Sequence, residues 1–301
     1  MAHAGHAEAL REDARVGAPD DRSPFLSVLG RGALLLVVLG ILWGLWEGWH
    51  WIGTRFHLTW PFPVNDITMP HLHRIVQALF QPAQVNGPWL IDILWHASLF
   101  TAKESAVGFA LGAVFGFAIA VVLSQSRFLE RGFIPYIVAS QTIPLLAIAP
   151  MVVVGLGSKG VRDWVSVAVL AAYLTFFPVS INTLRGLESA DPRAVELMRS
   201  YAAGRWRILW KLRVPASLPF LFSAFRIAAP LSIVGAIISE PAASIQGGLG
   251  GAIVNFNQYY SIEPQELWAT NVIAALVGIV FFLAVVAAEK VVVRRAPEHV
   301  A

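Results

Sequence analysis

The chain has 301 residues, of which 56% are hydrophobic and only 14% are charged. A soluble protein needs fewer apolar residues to fill its core, so this composition indicates a helical membrane protein. The chain contains no cysteine, which excludes disulfides, thiolate metal sites and cysteine nucleophiles. The net charge of +3 is modest and the basic residues cluster between apolar runs, a pattern that argues against a nucleic-acid partner.

Residues 1–28 are polar and mixed in charge, and they predict a tail before a single membrane domain over 29–301. The first apolar run has a long polar prefix and no small-residue cleavage site, so we interpret it as a retained span. Clustered tryptophans after this run suit the headgroup layer and mark its outer end. Six spans are predicted, at about 32–46, 99–123, 133–156, 164–184, 218–239 and 268–291.

Residues 52–98 are rich in proline and histidine, which predicts a loop outside the cytoplasm with one short helix near Met69 to Phe80. The pair His71 and His73 has the form of a metal-binding pair. No carboxylate or third ligand stands at useful spacing in the sequence, so we predict no metal site here.

Glycines recur at every fourth position of span 2, at Gly108, Gly112 and Gly116. Small residues on one helical face allow two backbones to approach closely in lipid, so the pattern predicts a tight helix pair. Chance placement in a span that tolerates glycine is the alternative.

Span 3 contains Pro135, Pro144 and Pro150, which predict a bent helix broken at the second and third prolines. A bent helix is tolerated in a membrane where it borders protein or water. Gln141 and Thr142 lie beside the bend and are candidates to line a path, the alternative being hydrogen bonds between helices.

Arg226 lies in span 5, about two turns from Leu218. A charged residue in a span is unfavourable unless it reaches protein, water or the interface. We interpret Arg226 as an interfacial anchor in preference to an anion-binding residue.

The distribution of lysine and arginine predicts the orientation of the chain. With the N-terminus inside, sixteen of the 22 basic residues fall on the inner side, five fall outside and Arg226 is in a span. The positive-inside rule then places both termini and the segment between spans 4 and 5 in the cytoplasm.

Residues 184–219 form a charged, helix-favouring insert between spans 4 and 5. Asp191 is a predicted N-cap with Pro192 at the first helical position. Residues 202–204 permit a turn, and Pro215 and Pro219 are expected to end the segment. The sequence therefore predicts a helix-turn-helix outside the bilayer.

The spacing within this insert resembles the EAA loop of bacterial ABC-transporter permeases. Glu196-Leu197-Met198 stands where that family has Glu-Ala-Ala, Ala202 stands at its glycine, and Pro215 ends the Ile-x-Leu-Pro part. Stretches at 141–150 and 240–250 are similar to the subfamily for sulfonates, taurine, nitrate or bicarbonate and its pyrimidine and riboflavin-precursor relatives. The resemblance covers roughly residues 90–290.

This resemblance implies an all-α fold of the type I ABC importer permease kind, with a cytoplasmic coupling helix between spans 4 and 5. It implies a permease subunit in the bacterial inner membrane that forms the substrate pathway. The implied partners are membrane lipid, a second permease copy, an extracytoplasmic binding protein and cytoplasmic ATPase subunits, which bind the ATP and Mg²⁺. The substrate expected is a small organic or inorganic anion such as a sulfonate or nitrate, or a vitamin-precursor heterocycle.

The resemblance also implies site residues at matching positions of this sequence. Those expected to couple to the ATPase are Glu196, Leu197, Met198, Ala202, Gly204, Arg205, Trp206 and Pro215. Those expected to line the pathway or its outer gate are Gln141, Thr142, Pro144, Tyr173 and Glu240.

Two other functional classes fit the sequence less well. The chain has no G-x-x-x-x-G-K-[ST] motif and no nucleophile motif, so we expect a non-catalytic subunit without a bound cofactor. A secondary transporter would need buried or paired ionisable residues at mid-span, and spans 2 to 6 show none near their predicted centres. An integral membrane enzyme would need clustered histidine or aspartate at the membrane surface, which the scattered histidines do not supply.

Overall fold

Long apolar helices make up most of the chain, as the composition predicts. The computed structural model describes residues 24–57, 60, 63–84 and 86–293. Most of the predicted tail over 1–28 therefore lies outside the described residues, and its boundary stays a prediction. The chain divides into two compact units, Met1–Leu72 and His73–Ala301.

The first unit contains one long helix, α1 (Pro24–Arg55), which includes the first predicted span. Its apolar side chains between Leu36 and Leu45 are exposed. A helix satisfies all its backbone groups internally, so exposed apolar side chains of this kind suit contact with lipid.

The second unit is helical throughout its described elements. In chain order these are α2 (Leu72–Leu79), α3 (Leu90–Leu123), α4 (Arg127–Ser140), α5 (Leu145–Gly157), α6 (Asp163–Glu188), α7 (Pro192–Ser200), α8 (Arg205–Ile208), α9 (Val214–Ser239), α10 (Leu249–Gln258) and α11 (Pro264–Val293). Helix α2 confirms the short helix expected near Met69 to Phe80.

Four helical stretches of the described chain are long and apolar enough to cross a membrane, namely α3, α6, the run from Arg205 to Ser239, and α11. Helices α4 and α5 pass the same test only as a pair, bent by 95°. The all-helical, multi-pass character is therefore confirmed, while the number of six spans stays a prediction.

The glycine pattern in α3 marks its contact with α6, as predicted. A side chain at Gly108 would overlap the carbonyl oxygen of Ala168, and one at Gly112 would overlap that of Ala172. Gly116 meets the backbone of α6 one further turn along. The two backbones are thus close enough that only glycine fits, and α3, α6 and α9 together form the core of this unit.

The third predicted span breaks at one place only. Residues 141–144 separate α4 from α5, whereas Pro135 and Pro150 lie inside those helices. The expectation that Pro150 breaks the span was wrong. Pro150 removes only one hydrogen bond from a continuing helix, whereas Pro144 is itself extended, with φ −67° and ψ 122°, and α5 begins at the next residue.

The prolines after the charged insert do not end it. Pro215 lies in the first turn of α9 and Pro219 lies inside that helix, so the chain continues helically from Arg205 to Ser239. A π-helical turn at Leu209–Arg213 directly precedes Pro215. Such a turn alters the local hydrogen-bond pattern and accommodates a missing donor without interrupting the helix.

Candidate functional site

The insert between α6 and α9 has the predicted helix-turn-helix form, and we call residues 191–213 the coupling segment. The carboxylate of Asp191 accepts a hydrogen bond from the Arg193 N–H at 2.9 Å, with Pro192 at the first position of α7. This confirms the predicted N-cap. The turn at 201–204 is also present, and Ala202 adopts a positive φ of 54° there.

The inner face of the coupling segment is apolar. Val195 from α7 and Ile208 from α8 are buried against Ala190, and Met198 packs on the same cluster. Met198 therefore contacts the cluster between the two helices. Its side chain is half-buried, whereas the other predicted coupling residues are exposed.

The outer face of the segment exposes large side chains among its cations. Leu197, Tyr201 and Trp206 are 59%, 78% and 65% exposed, and Glu196 is exposed beside them. Large apolar side chains grouped on a charged surface are typical of a docking site for another protein. Of the remaining predicted coupling residues, Ala202, Gly204 and Arg205 are exposed in the same segment, and Pro215 is exposed in the first turn of α9.

The coupling segment also contacts the end of α3. The Arg213 guanidinium donates to the Ser124 carbonyl at 3.5 Å. A polar cavity of about 710 Å³ lies between this end of α3, the start of α4 and the coupling segment, and Glu188, Glu196 and Arg199 contribute to its lining.

The corner between α4 and α5 is closed by the hydroxyl of Tyr173. Pro144 has no N–H to donate to the Ser140 carbonyl one helical turn before it, and that carbonyl accepts from the Ile143 N–H at 3.3 Å and from the Tyr173 hydroxyl. Thr142 bonds to the Ala139 carbonyl at 2.7 Å. Gln141 is exposed, and in the described chain its side chain makes no hydrogen bond. The corner therefore brings together four of the predicted pathway residues, Gln141, Thr142, Pro144 and Tyr173.

Glu240 caps the end of α9 and is fully buried. Its Oε1 accepts from the Thr101 hydroxyl at 2.5 Å and its Oε2 accepts from the Gly250 N–H at 2.5 Å. Thr101 in turn accepts from the Leu249 N–H at 2.9 Å. A side chain at Gly248 would overlap the Glu240 carboxylate, so glycine is needed at that position. Glu240 thus fixes the start of α10 onto α3 in this structure, and its role at a gate stays a prediction.

Glu104 is buried, which the sequence did not indicate. It is 1% exposed, and it lies near the middle of α3 because that helix begins at Leu90 and not near residue 99. Its carboxyl group interacts with that of Glu240, and in the described chain no hydroxyl, amide or cationic group donates to its oxygens. The expectation that the spans hold no such residue near their centres was wrong.

Arg226 forms an ion pair with a glutamate of another helix, and its interpretation as an interfacial anchor stays a prediction. Its Nε lies 3.2 Å from Glu289 Oε2, and its Nη2 donates to Glu289 Oε1 at 3.3 Å. Glu289 lies about one turn before the end of α11, and its carboxylate stabilises the Arg226 cation there.

The part of the chain that contains these residues is similar to a known family of membrane proteins. Residues 112–296 match the family model for the binding-protein-dependent transport system inner membrane component. The matched region includes the corner, the coupling segment and Glu240.

Individual relatives are similar over most of their length. The formylaminopyrimidine transport permease protein ThiX of Halalkalibacterium halodurans is 33% identical over 180 residues, covering 60% of this chain and 69% of that protein. The riboflavin transport system permease protein RibX of Chloroflexus aurantiacus is 29% identical over 193 residues, covering 64% and 69%. The nitrate import permease protein NrtB of Synechocystis is 24% identical over 250 residues, covering 83% and 84%.

A solved structure gives the fold independently. The crystal structure of an amino acid ABC transporter with histidines superposes with a TM-score of 0.51 at 17% identity, covering 68% of this chain and 94% of that chain. At this identity the likeness supports the fold alone. With the family match over more than half of its length, the chain belongs to the binding-protein-dependent transport system inner membrane components, the permease subunits of ABC importers.

Proposed function

We propose that the coupling segment docks on a cytoplasmic ATPase subunit and transmits its motion to the spans of this permease. In this proposal α1 and the bent pair α4–α5 complete a set of six spans, and both termini are cytoplasmic. A second permease copy completes the pathway. ATP and Mg²⁺ are bound by the partner, because the sequence has no phosphate-binding loop.

The observation that supports this proposal is that the coupling segment has one buried apolar face and one face with exposed apolar side chains. Its inner face is buried through Val195 and Ile208, whereas Leu197 and Trp206 on its outer face remain exposed among charges. A monomeric surface gains nothing by exposing such side chains, but a partner groove buries them at about 25 cal/mol per Å² of apolar area.

The segment is also connected to the membrane portion by helix. The helical run from Arg205 to Ser239 is unbroken, with a π-helical turn at Leu209–Arg213, so in this proposal a shift of its first turn is transmitted along it. Two distant sites are coupled when both shift the equilibrium between two arrangements of one packed element, and a continuous helix can serve as that element. The inner face of α7 packs on this helix through Ile208 and Leu212, which links the exposed surface to α9.

For the pathway we propose Gln141 and Thr142 at the corner, with Pro144 and Tyr173 shaping it and Glu240 at the outer gate. The supporting observation is that the Gln141 side chain is exposed at a helix break, where polar groups are tolerated beside protein or water. The proposed substrate class is a small anion such as a sulfonate or nitrate, or a vitamin-precursor heterocycle delivered by the binding protein. The names of three relatives state substrates of comparable kinds, namely formylaminopyrimidine for ThiX, riboflavin for RibX and nitrate for NrtB.

Charge reversal at the docking surface tests the coupling proposal. The permease is reconstituted in liposomes with the ATPase and binding protein whose genes neighbour its own. Glu196→Arg is expected to lower substrate-stimulated ATP hydrolysis at least tenfold, because a repulsive charge then faces the partner surface. The matched control is Glu263→Arg, an exposed charge reversal on the predicted outer side, which is expected to leave stimulation unchanged. Equal stimulation in wild type and Glu196→Arg would remove the segment from the ATPase interface.

A further inference from the structure

The loop after α1 folds back along the last turns of that helix. The Trp46 indole donates to the Pro70 carbonyl at 3.1 Å. Gly53 contacts Val64 so closely that a side chain at 53 would overlap the valine. These contacts hold residues 63–72 against α1 within the first unit.

Three side chains converge where the loop meets the helix. His50 Nε2 lies 3.5 Å from Asp66 Oδ1, and His71 Nε2 lies 4.0 Å from the same oxygen. All three ligand atoms lie within 4.8 Å of one another. This grouping is not apparent from the sequence, because His50 and Asp66 are 16 residues apart and only His71 and His73 have the spacing of a metal-binding pair.

Each imidazole is oriented by a contact at its other nitrogen. His50 Nδ1 bonds to the Met69 carbonyl at 2.8 Å, and His71 Nδ1 bonds to Glu47 Oε2 at 2.7 Å. A carbonyl and a carboxylate only accept hydrogen bonds, so each Nδ1 donates the proton. In the neutral rings the lone pair then belongs to Nε2, the atom directed at Asp66.

Glu47 is itself held in place. Its Oε1 accepts from the Leu72 N–H at 3.1 Å, while its Oε2 bonds to His71. A carboxylate that bonds the distal nitrogen of a histidine is the usual outer support of a metal-binding imidazole, where it fixes the tautomer and the ring orientation.

We propose that His50, Asp66 and His71 form a binding site for a divalent transition-metal ion of the zinc type. Two imidazole nitrogens and one carboxylate oxygen suit Zn²⁺, whereas Ca²⁺ and Mg²⁺ prefer oxygen ligands throughout. Three protein ligands leave the fourth tetrahedral position to water or another small ligand.

The distances fit this ion with a small adjustment. Bonds of 2.0–2.2 Å in tetrahedral geometry separate the ligand atoms by about 3.4 Å. The His50 and Asp66 atoms are already 3.5 Å apart and the His71 and Asp66 atoms are 4.0 Å apart, so both pairs are close to that separation. The buried His50 supplies a fixed first ligand.

A cluster without a metal is the competing explanation. The two imidazole rings lie 4.1 Å apart between centroids, and both present Nε2 to one oxygen of Asp66. Direct hydrogen bonds do not explain this convergence well, because the two contacts of 3.5 and 4.0 Å are longer than normal N–H···O bonds. The bound ion would also join the loop to α1, since His50 is in the helix and the other two ligands are in the loop.

The test measures Zn²⁺ binding to the full-length permease in detergent, purified with an affinity tag that contains no histidine. His3 and His6 are replaced by alanine in every sample, so that the N-terminal histidines contribute nothing. Competition with a chromophoric chelator gives stoichiometry and affinity. Co²⁺ as a substitute gives a visible spectrum that reports tetrahedral coordination.

We expect one Zn²⁺ per chain at micromolar or lower concentration. Asp66→Ala and His71→Ala are expected to weaken binding at least tenfold, and Glu47→Gln about 10–100-fold through its support of His71. The matched control is His57→Ala, which removes an exposed histidine of the same unit outside the cluster and is expected to bind like the parent.

Thermal unfolding without metal shows whether a substitution lowers the stability of the fold or only its affinity for Zn²⁺. The parent and Asp66→Ala are expected to unfold at similar temperatures without metal, and only the parent is expected to be stabilised by added Zn²⁺. Zn²⁺ binding of unchanged affinity in both Asp66→Ala and His71→Ala, or no binding of one ion per chain, would overturn the proposal.

Discussion

Ala202 has an unusual backbone conformation for an alanine. Its φ of 54° lies in the left-handed region, which a residue with a Cβ atom adopts at a cost of about 1–2 kcal/mol. The turn enforces this conformation, because the Ala202 and Ala203 N–H groups bond to the Arg199 and Met198 carbonyls at 2.9 and 3.0 Å. In the EAA pattern this position is glycine, which adopts positive φ freely.

Ala202→Gly is therefore expected to stabilise the permease by about 0.5–1 kcal/mol, since relief of the strained φ exceeds the entropy that glycine loses on folding. Unfolding in detergent, followed by temperature or by SDS titration, measures the change. Ala203→Gly is the matched control, because its φ is not positive and the same change there should destabilise by a similar amount. Destabilisation by both changes would show that the turn does not strain Ala202.

Single residues were predictable from the sequence where their partner is local. Asp191 caps the helix that starts beside it, so the sequence contained both halves of the interaction. Arg226 is paired with a glutamate 63 residues away, and Thr101 bonds to Glu240 across 139 residues. No local pattern indicates such a partner. The buried position of Glu104 was missed for the same reason, together with the misplaced start of its helix.

Among the secondary-structure elements, the corner between α4 and α5 shows most directly how a feature of the sequence determines the structure. Pro144 cannot donate the α-helical hydrogen bond to the Ser140 carbonyl, which accepts from the Ile143 N–H and from the Tyr173 hydroxyl of α6. The corner therefore depends on a contact between helices, while Gln141 beside it makes no side-chain bond in the described chain.

This division of roles predicts different outcomes for two variants in the reconstituted complex. Gln141→Leu is expected to lower transport of the cognate substrate severalfold, while assembly with the ATPase and basal hydrolysis stay intact. Tyr173→Phe removes the hydroxyl from Ser140 and is expected to lower stability by about 1 kcal/mol, near the value for hydrogen bonds between membrane helices. Normal transport by Gln141→Leu together with a lower unfolding temperature would make Gln141 a structural residue.

Elements were predictable where composition and spacing decide them. The glycines of α3 predicted a close helix pair, and the structure pairs α3 with α6 at those residues. Helix α10 was not predicted, because it lies between the spans expected at about 218–239 and 268–291. Its first turns contain Gly250 and Gly251 and its end contains Asn255 and Asn257, all weak helix formers. Contacts to Thr101 and Glu240 hold its start, and these contacts are not visible in the sequence.

For the whole molecule, the bent pair α4–α5 decides the topology. If it crosses the membrane, residues 125 and 158 lie on opposite sides. If it returns to the side from which it started, both lie on one side and every later loop changes sides. The 95° bend is compatible with either arrangement, whereas the distribution of basic residues favours the crossing.

The native chain has no cysteine, so single cysteines at Gln125, Ser158 and Ser189 resolve this with a membrane-impermeant thiol reagent. All three positions are exposed, and Ser158 and Ser189 each cap a helix through the same type of bond to a carbonyl three residues earlier, which makes them a matched pair. We expect Ser158→Cys to react in intact cells, and Gln125→Cys and Ser189→Cys to react only after the membrane is opened. Because α6 separates Ser158 from Ser189, these two should always label from opposite sides, and this serves as the internal control. Labelling of Gln125→Cys and Ser158→Cys from the same side would identify the pair as a re-entrant loop. Reaction of Ser189→Cys alone in intact cells would place the coupling segment outside and remove it from contact with a cytoplasmic ATPase.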